Sequence, residues 1–311
     1  MSTTPYRVML GAKSYLKDEC IRDGYVGVHY DLLVDLTNEF PDNWRDFNAR
    51  YVPYFLELEP GRAKQSAGLA SAQVWTLGRG IEDGSTVIAP DGEGGFFFGT
   101  VDGSYRYVEG AELPHQRAVK WDAGVISQDR MGDDLRASLK AGMAVVSLER
   151  HADEIAVLRA GGEPRVAVVG GELVENPLMF AMEKHLEDFL IDNWNQTEIG
   201  KDFDILAGDD GPVGQQYPTD TGPIDILAIS KDQKTLLVIE LKKGRASDSV
   251  VGQAMRYMGF VKDELAEEGQ AVKGVIVAAD NDPRLKRALS MAPDISFYRY
   301  DVSFSLHPGE K

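Results

Sequence analysis

Length, composition and charge already exclude several classes of protein. The chain has 311 residues with 43% apolar and 27% charged residues, which is ordinary for globular domains and excludes a disordered chain. Its single cysteine, Cys20, excludes an intramolecular disulfide and a cysteine-rich zinc site. No export signal and no apolar run of about 18 residues is present, so we expect a cytoplasmic protein without a membrane partner. The length predicts two domains.

The N-terminal half contains many short strand-like segments. A short strand is predicted from Tyr6 to Leu10 and a helix within residues 40–51. From Gln73 onward the segments VWTL, STVIAP, GFFFGTV, SYRYVEG and RAVKW are separated by Gly-Ser, Asp-Gly and Gly-Gly turns. Short strands with such turns indicate a small, mostly-β barrel-like domain. We assign residues 1–160 to this β-rich domain, because glycine and proline breakers lie between Leu158 and Gly171.

The C-terminal half alternates helices and strands, which predicts an α/β domain over residues 168–311. The segment from Met182 to Trp194 reads as an amphipathic helix with Leu186, Phe189, Leu190 and Trp194 on its apolar face. Glu187 lies on this helix. Two apolar strands, a further helix and a further strand, Val272 to Ala279, follow.

The most informative segment runs from Ile224 to Lys242, where two apolar runs flank a polar turn. Asp225 opens the first run, and Glu240 and Lys242 end the second on one face of the strand. Hairpin pairing would bring the carboxylates of Asp225 and Glu240 together. Two carboxylates and a lysine suit metal-dependent phosphodiester hydrolysis. The alternative for the glutamate and the lysine is a salt bridge at an edge strand.

A second polar pair follows on the next helix, in the segment GQAMRYMGFV. Gln253 and Tyr257 are four residues apart and therefore share a face of that helix. The chain order is thus a helix with a glutamate, a strand with an aspartate, a strand with Glu-x-Lys, and a helix with Gln-x-x-x-Tyr.

This order resembles the PD-(D/E)XK nuclease core, nearest its NucS-like and Mrr-like restriction endonuclease branches. The chain departs from the motif by having Ile224 where a proline is usual. The resemblance implies a restriction-endonuclease-like mixed sheet flanked by helices, a Mg²⁺ site that also accepts Mn²⁺, and hydrolysis that leaves a 5′-phosphate. The residues that carry it are Glu187, Gly222 to Asp225, Glu240 to Lys242, Gly244, Gln253, Arg256 and Tyr257.

The resemblance also implies a role for each residue of the site. Asp225, Glu240 and Glu187 would hold the metal, and Lys242 would orient the attacking water and offset charge on phosphorus. Glu183 and Asp188 are alternatives to the helix glutamate, which is itself equally well read as a solvated helix residue. Gln253 and Tyr257 would fix the scissile phosphate, with core packing as the alternative for the tyrosine.

The N-terminal β segments resemble, more loosely, the EVE-, YTH- and PUA-like readers of modified bases. Such barrels hold an extruded base in an aromatic pocket. The candidate ring residues can instead fill the barrel core, and His115 and Arg117 can serve in loop hydrogen bonds rather than phosphate contacts. The candidates for base recognition are Trp75, Tyr105, Tyr107, Trp121, His115 and Arg117.

Together the halves predict a Mg²⁺-dependent DNA endonuclease that recognises a modified base or a DNA structure and serves in restriction or phage defence. A homodimer would supply two active sites for cutting both strands. The net charge of −17 opposes tight, non-specific binding to nucleic acid. The alternatives are a catalytically silent nucleic-acid-binding or regulatory protein on a nuclease scaffold, and a nuclease acting on RNA or on mismatched or branched DNA.

Overall fold

The structure is a computed structural model that describes residues 3–162, 186–208, 211–219 and 221–301. These residues fall into two compact units, an N-terminal one over residues 3–162 and a C-terminal one over most of residues 186–301. The predicted limits, 1–160 and 168–311, remain predictions because residues 163–185 lie outside the described part. Among the helices of the described ranges, none is long and apolar enough to cross a membrane.

Seven strands of the N-terminal unit form one mixed sheet. They are β1 (Tyr6–Val8), β2 (Tyr25–Val28), β3 (Thr86–Pro90), β4 (Gly95–Tyr107), β5 (His115–Trp121), β6 (Ile126–Ser127) and β7 (Val145–Ser147). The strand order is β2-β5-β4-β3-β1-β7, and β6 pairs with β4. Only β1 and β3 are parallel; the other pairs are antiparallel.

Helices and short turns of helix accompany this sheet. They are α1 (Lys17–Asp23), α2 (Trp44–Leu58), α3 (Lys64–Trp75), α4 (Asp133–Leu139) and α5 (Ala152–Arg159), with 3-10 turns at Ala12–Ser14, Gln128–Arg130 and Glu149–His151 and a π turn at Thr76–Gly80. One apolar core joins residues of α2 and α3 to one face of the sheet, for example Phe47, Val74, Val87 and Val119.

The expectation of a barrel-like N-terminal domain needs correction. In the described residues β2 and β7 are the two edges of the sheet and are not paired with each other. Helices α2 and α3 bury the face that the strands of a barrel would bury among themselves, so the sheet stays open. The segment VWTL is also helical rather than extended, since Val74 and Trp75 end α3 and Thr76 begins the π turn. The α/β class of the whole chain is confirmed.

The C-terminal unit is built on a second mixed sheet. Its strands are β8 (Phe203–Ile205), β11 (Gln215–Tyr217), β12 (Ile224–Ser230), β13 (Thr235–Ala246), β14 (Ala271–Asn281) and β15 (Ile295–Arg299), and a separate two-stranded sheet pairs β9 (Ala207–Gly208) with β10 (Gly211–Pro212). The order is β11-β12-β13-β14-β15, with β8 also on β12. The β12–β13 pair is antiparallel, whereas β14 and β15 continue the sheet in parallel.

Helices flank this sheet, which confirms the predicted architecture. They are α6 (residues 186–192), α7 (Ser249–Phe260) and α8 (Pro283–Ser290), with short helical turns at Trp194–Gln196, Ile199–Lys201 and Val261–Leu265. One core contains Trp194, Ile226 and Ile239 with α6 packed against it, and another contains Ile276 with residues of α7 and α8.

One residue of the predicted apolar helix face is placed differently. Leu186 and Leu190 pack on the core, but Phe189 is exposed. Leu186 and Leu190 are one turn apart on the face of α6 that packs on the core, whereas the Phe189 side chain projects away from that face into solvent. The first residues of the predicted helix, 182–185 with Glu183, lie outside the described part.

Candidate active site

The hairpin of β12 and β13 brings the first two candidate residues together. Ile226 pairs with Ile239 and Leu227 with Val238, so the same register carried one residue further sets Asp225 opposite Glu240. The backbone N–H of Leu241 donates a 2.8 Å hydrogen bond to Oδ2 of Asp225. The predicted pairing of these two strands is thus confirmed, and it fixes Asp225 against the middle of β13.

Glu240 is a fully buried carboxylate. Its side chain has no solvent exposure, and its Oε1 has no hydrogen-bond partner among the described residues. Burial and the nearby charge of Asp225 raise the pKa of Glu240 to about 8, against the opposing effect of Lys242 and Arg256. A buried carboxylate with one unsatisfied oxygen is costly, because desolvation of an ionised group is not repaid by hydrogen bonds.

Lys242 supplies the cation beside this carboxylate. It lies two residues further along β13 on the same face, and its Nζ is 3.4 Å from Oε2 of Glu240. The lysine side chain keeps 30% of its exposure, whereas the glutamate has none. The ammonium is therefore reachable from solvent while it faces the buried carboxylate, so this pair is not the exposed edge-strand salt bridge of the alternative reading.

Glu187 reaches the site through two glutamines that sequence reasoning missed. Nε2 of Gln215 donates to Oε1 of Glu187 at 2.8 Å, and Nε2 of Gln216 donates to Oε2 at 2.7 Å. The same Gln216 amide lies 3.3 Å from Oδ1 of Asp225. Glu187 is 9% exposed, so the reading as a solvated helix residue does not describe it. The signal available in the sequence was the Gln-Gln-Tyr segment shortly before Asp225.

Gln253 and Tyr257 lie on α7 near Asp225 and Glu240. Tyr257 is buried, and a hydrogen bond joins its side chain to that of Gln253. Burial raises the pKa of Tyr257, with smaller contributions from the charges of Glu240 and Asp225, so the phenol stays protonated. A Cβ added at Gly222 would lie 3.1 Å from the Tyr257 hydroxyl, which places that hydroxyl beside the turn before Asp225.

The donor set suits a hard divalent cation, although three ligands do not converge. Within the ranges that the structure describes, no group of three His, Cys, Asp or Glu side chains is arranged to hold a metal ion. Oε1 of Glu240 nevertheless lacks a hydrogen-bond partner among the described residues, and carboxylate oxygens are the ligands that Mg²⁺ and Mn²⁺ prefer. Asp225 and Glu240 could therefore hold such a cation together.

In the N-terminal unit, three of the predicted base-recognition residues form one group, in which His115 is buried and Tyr105 and Tyr107 are half-buried. His115 is fully buried, and its Nε2 donates to the carbonyl of Leu32 at 2.6 Å because a carbonyl can only accept. Nδ1 then accepts from the Tyr105 hydroxyl at 2.7 Å. The Tyr107 ring lies 5.5 Å from the imidazole, and Phe40 packs edge-on against Tyr105. Burial lowers the pKa of His115 to about 4, so the ring is neutral.

The other three candidates are also tied to backbone carbonyls of the unit. Arg117 is 4% exposed and donates to the carbonyls of Gly103 and Ile81. Trp75 donates from Nε1 to Pro41, and Trp121 donates from Nε1 to Cys20. These contacts are the core-packing and loop-bonding roles that were left open as alternatives. A role of the six residues in base recognition remains a prediction.

Fold and geometry define the C-terminal unit as an α/β domain in which a half-buried aspartate, a buried glutamate and a lysine lie together on two adjacent strands of a mixed sheet. Residues 182–301 match the model of the family described as the Endonuclease NucS C-terminal domain. The NucS-like resemblance read from the motif is thereby confirmed for this part of the chain.

Curated relatives carry the same name. The chain is 27% identical over 151 residues to Endonuclease NucS of Sulfolobus acidocaldarius, covering 47% of this chain and 53% of that protein. It is 32% identical over 80 residues to Endonuclease NucS of Methanocaldococcus jannaschii, covering 26% of this chain and 29% of that protein. The chain thus spans about half the length of the first relative and less than a third of the second.

Solved structures give a weaker likeness. A repair endonuclease from Pyrococcus abyssi is 16% identical, with a TM-score of 0.31 over 70% of this chain and 65% of that chain. An EndoMS-dsDNA2 complex is 14% identical, with a TM-score of 0.31 over 71% of this chain and 67% of that chain.

Proposed function

We propose that this chain is a divalent-metal-dependent endonuclease that hydrolyses phosphodiester bonds in DNA. The observation that carries the proposal is the buried carboxylate of Glu240, whose Oε1 has no hydrogen-bond partner among the described residues, whereas its Oε2 lies 3.4 Å from Nζ of Lys242. The nearby charge of Asp225 adds to the cost of ionising this carboxylate, and a divalent cation would offset that cost. The match of residues 182–301 to the NucS C-terminal domain supports the same chemistry.

Asp225 and Glu240 would hold the cation, and Glu187 would complete its surroundings. The Leu241 N–H fixes Oδ2 of Asp225 and leaves Oδ1 facing Gln216 and Glu187. Mg²⁺ is the expected cation, with Mn²⁺ as a substitute, because both accept carboxylate and water ligands. When bound, the cation supplies charge stabilisation at the phosphate and a more acidic water.

Lys242 is placed to act on the attacking water and the phosphate. Its ammonium is partly exposed and adjoins Glu240, so it can orient a water and offset the negative charge that develops on the phosphate oxygens. The water oxygen would form a bond to phosphorus and lose a proton to solvent, while the bond to the 3′ oxygen breaks and that oxygen takes up a proton, so that the products are a 3′-hydroxyl and a 5′-phosphate. Gln253 and the protonated Tyr257 would donate hydrogen bonds to the scissile phosphate.

The similar proteins include a repair endonuclease and a complex of EndoMS with double-stranded DNA. We therefore propose a mismatch, branch or other irregularity as the first substrate to test, with modified-base recognition by the N-terminal unit and a defence role as the second. Cutting both strands would take either two active sites, which a homodimer would provide, or two successive nicks by one site.

The test is cleavage of end-labelled DNA in Mg²⁺, in Mn²⁺ and in EDTA. The substrates are plain, mismatched, branched, methylated and hydroxymethylated duplexes, together with RNA. Asp225→Asn, Glu240→Gln and Lys242→Met are each expected to lower the cleavage rate by at least about 100-fold, as loss of a charge-stabilising group does elsewhere.

Matched controls separate chemistry from folding. Asp204→Asn changes an exposed aspartate of β8 in the same unit, and Lys234→Met changes an exposed lysine of the β12–β13 turn. Both controls should cut as the wild type does. Cleavage that persists in Asp225→Asn and Glu240→Gln would refute the site. No cleavage of any substrate by a folded wild type that binds DNA would favour the catalytically silent alternative.

A further inference from the structure

We infer that the carboxamide of Gln216 occupies the place of a cation between Glu187 and Asp225, and that a divalent metal must displace it. The inference rests on the proposed function and concerns the same site. It assigns to Gln216 the control of metal affinity.

The position of the amide carries the inference. Nε2 of Gln216 lies 2.7 Å from Oε2 of Glu187 and 3.3 Å from Oδ1 of Asp225. An amide nitrogen has two N–H donors, so one group can satisfy both carboxylates. A neutral donor between two anions thus holds together side chains that would otherwise repel each other.

The backbone is arranged to place the amide there. Gln216 has φ of 50°, in the left-handed region that a non-glycine residue adopts only when the surroundings hold it. Successive side chains of a strand normally point to opposite faces. Here the neighbours Gln215 and Gln216 both reach Glu187, one to each carboxylate oxygen. The unusual φ of Gln216 allows this convergence.

The same amide accounts for the incomplete metal site. Mg²⁺ requires oxygen ligands at about 2.0–2.1 Å, and an amide nitrogen that donates its hydrogens cannot serve as one. While Gln216 lies between the carboxylates, no three acidic side chains converge within the described part of the chain. Metal binding at Asp225 and Glu187 must therefore break both hydrogen bonds of the amide.

The expected consequence is tighter metal binding when the amide is removed. A hydrogen bond to a charged group contributes enough to change an equilibrium constant by about tenfold or more. We expect Gln216→Ala to lower the Mg²⁺ dissociation constant by about tenfold. Gln216→Glu, which keeps the shape and adds a carboxylate between Glu187 and Asp225, should lower it further.

The experiment measures binding of Mg²⁺ alone to the full chain by calorimetry, and the rise of the unfolding temperature with Mg²⁺ after EDTA treatment. The expected order of the Mg²⁺-induced rise is Gln216→Glu, then Gln216→Ala, then wild type. Gln233→Ala is the matched control, because Gln233 also has a positive φ, of 63°, but lies in the exposed β12–β13 turn. It should bind Mg²⁺ as the wild type does.

Two results would overturn the inference. Unchanged affinity in both Gln216 variants would mean that the amide does not compete with the metal. Weaker binding in Gln216→Ala would mean that the amide helps to hold it. If the wild type binds Mg²⁺ and Asp225→Asn does not, either result refutes only the role of Gln216. If no variant of this site binds Mg²⁺, the proposed function fails with it.

Discussion

Replacing the buried carboxylate of Glu240 by an amide should abolish cleavage and at the same time stabilise the metal-free protein. Glu240→Gln keeps the shape of the side chain and removes its charge. The stabilisation is expected because the wild-type carboxylate is fully buried, with Asp225 nearby and with no hydrogen-bond partner for Oε1 in the described part of the chain. A residue kept for chemistry at a cost to stability behaves in this way.

The magnitude follows from the pKa of Glu240, which is raised from 4.5 to about 8. The folded state holds its proton more tightly than the unfolded state, so stability is lost as pH rises from 4.5 through 8. One pKa unit corresponds to about 1.4 kcal/mol, so the ionisation of Glu240 costs roughly 3 kcal/mol of unfolding free energy at pH 7 and roughly 5 kcal/mol above pH 8. Glu240→Gln lacks this cost.

The assay is denaturant unfolding in EDTA between pH 5 and pH 9. The difference in unfolding free energy between Glu240→Gln and wild type should grow by roughly 4 kcal/mol from pH 5, where it is smallest, to pH 9. Glu198→Gln is the control, since Glu198 is an exposed residue of the same unit whose side chain is 73% accessible. Parallel profiles for wild type and Glu240→Gln across this range would refute the reasoning.

Two further predictions concern stability elsewhere. His115 is buried and neutral, with a pKa lowered from 6.5 to about 4, so up to about 3 kcal/mol of unfolding free energy is lost as the pH falls from 6.5 through 4. The unfolding free energy of His115→Gln should therefore depend less steeply on pH over that interval, and an unchanged slope would contradict this prediction. Gly222 has φ of 114° and a Cβ there would lie 3.1 Å from the Tyr257 hydroxyl, so Gly222→Ala should lower the unfolding free energy by about 1–3 kcal/mol and slow cleavage. Gly252→Ala, with open space around it in α7, should be neutral or stabilising by up to about 1 kcal/mol; equal effects of the two glycine substitutions in thermal unfolding would count against this account.

The part of the site that was predictable depends on short-range pairing. Asp225 and Glu240 are joined by a hairpin whose turn and apolar runs are visible in the sequence, so their proximity follows from register alone. The position of Lys242 on the same face as Glu240 follows from the two-residue period of a strand. The shared face of Gln253 and Tyr257 follows from their four-residue spacing on a helix. Such relations need no knowledge of the rest of the fold.

The parts that were not predictable depend on contacts between distant segments or on backbone strain. Gln216 reaches Glu187 and Asp225 because its φ is positive, and nothing in the residue type signals that conformation. The helix α3 was partly read as strand, because the apolar residues of VWTL fit either element when read alone. The prediction of a barrel was wrong because α2 and α3 bury one face of the sheet, and the sequence of the strands alone does not show that contact.

The alternation in β5 contained information on the aromatic candidates. His115, Arg117, Val119 and Trp121 are every second residue of one strand, so they share a face. That face is the one on which Val119 joins the apolar core with α2 and α3. A residue on the covered face must satisfy its polar atoms internally, which His115, Arg117 and Trp121 do through backbone carbonyls. A binding surface built from these residues would require the core to open.

The C-terminal site differs from this core, because its buried Glu240 keeps one carboxylate oxygen without a hydrogen bond among the described residues. Burial and the charge of Asp225 raise the pKa of Glu240, so its ionised form is disfavoured in the metal-free site despite Lys242 and Arg256. A divalent cation would stabilise that ionised form, because a bound cation is the largest local charge in such a site. This effect joins the raised pKa of Glu240, the amide of Gln216 between Glu187 and Asp225, and the proposed hydrolysis into one account.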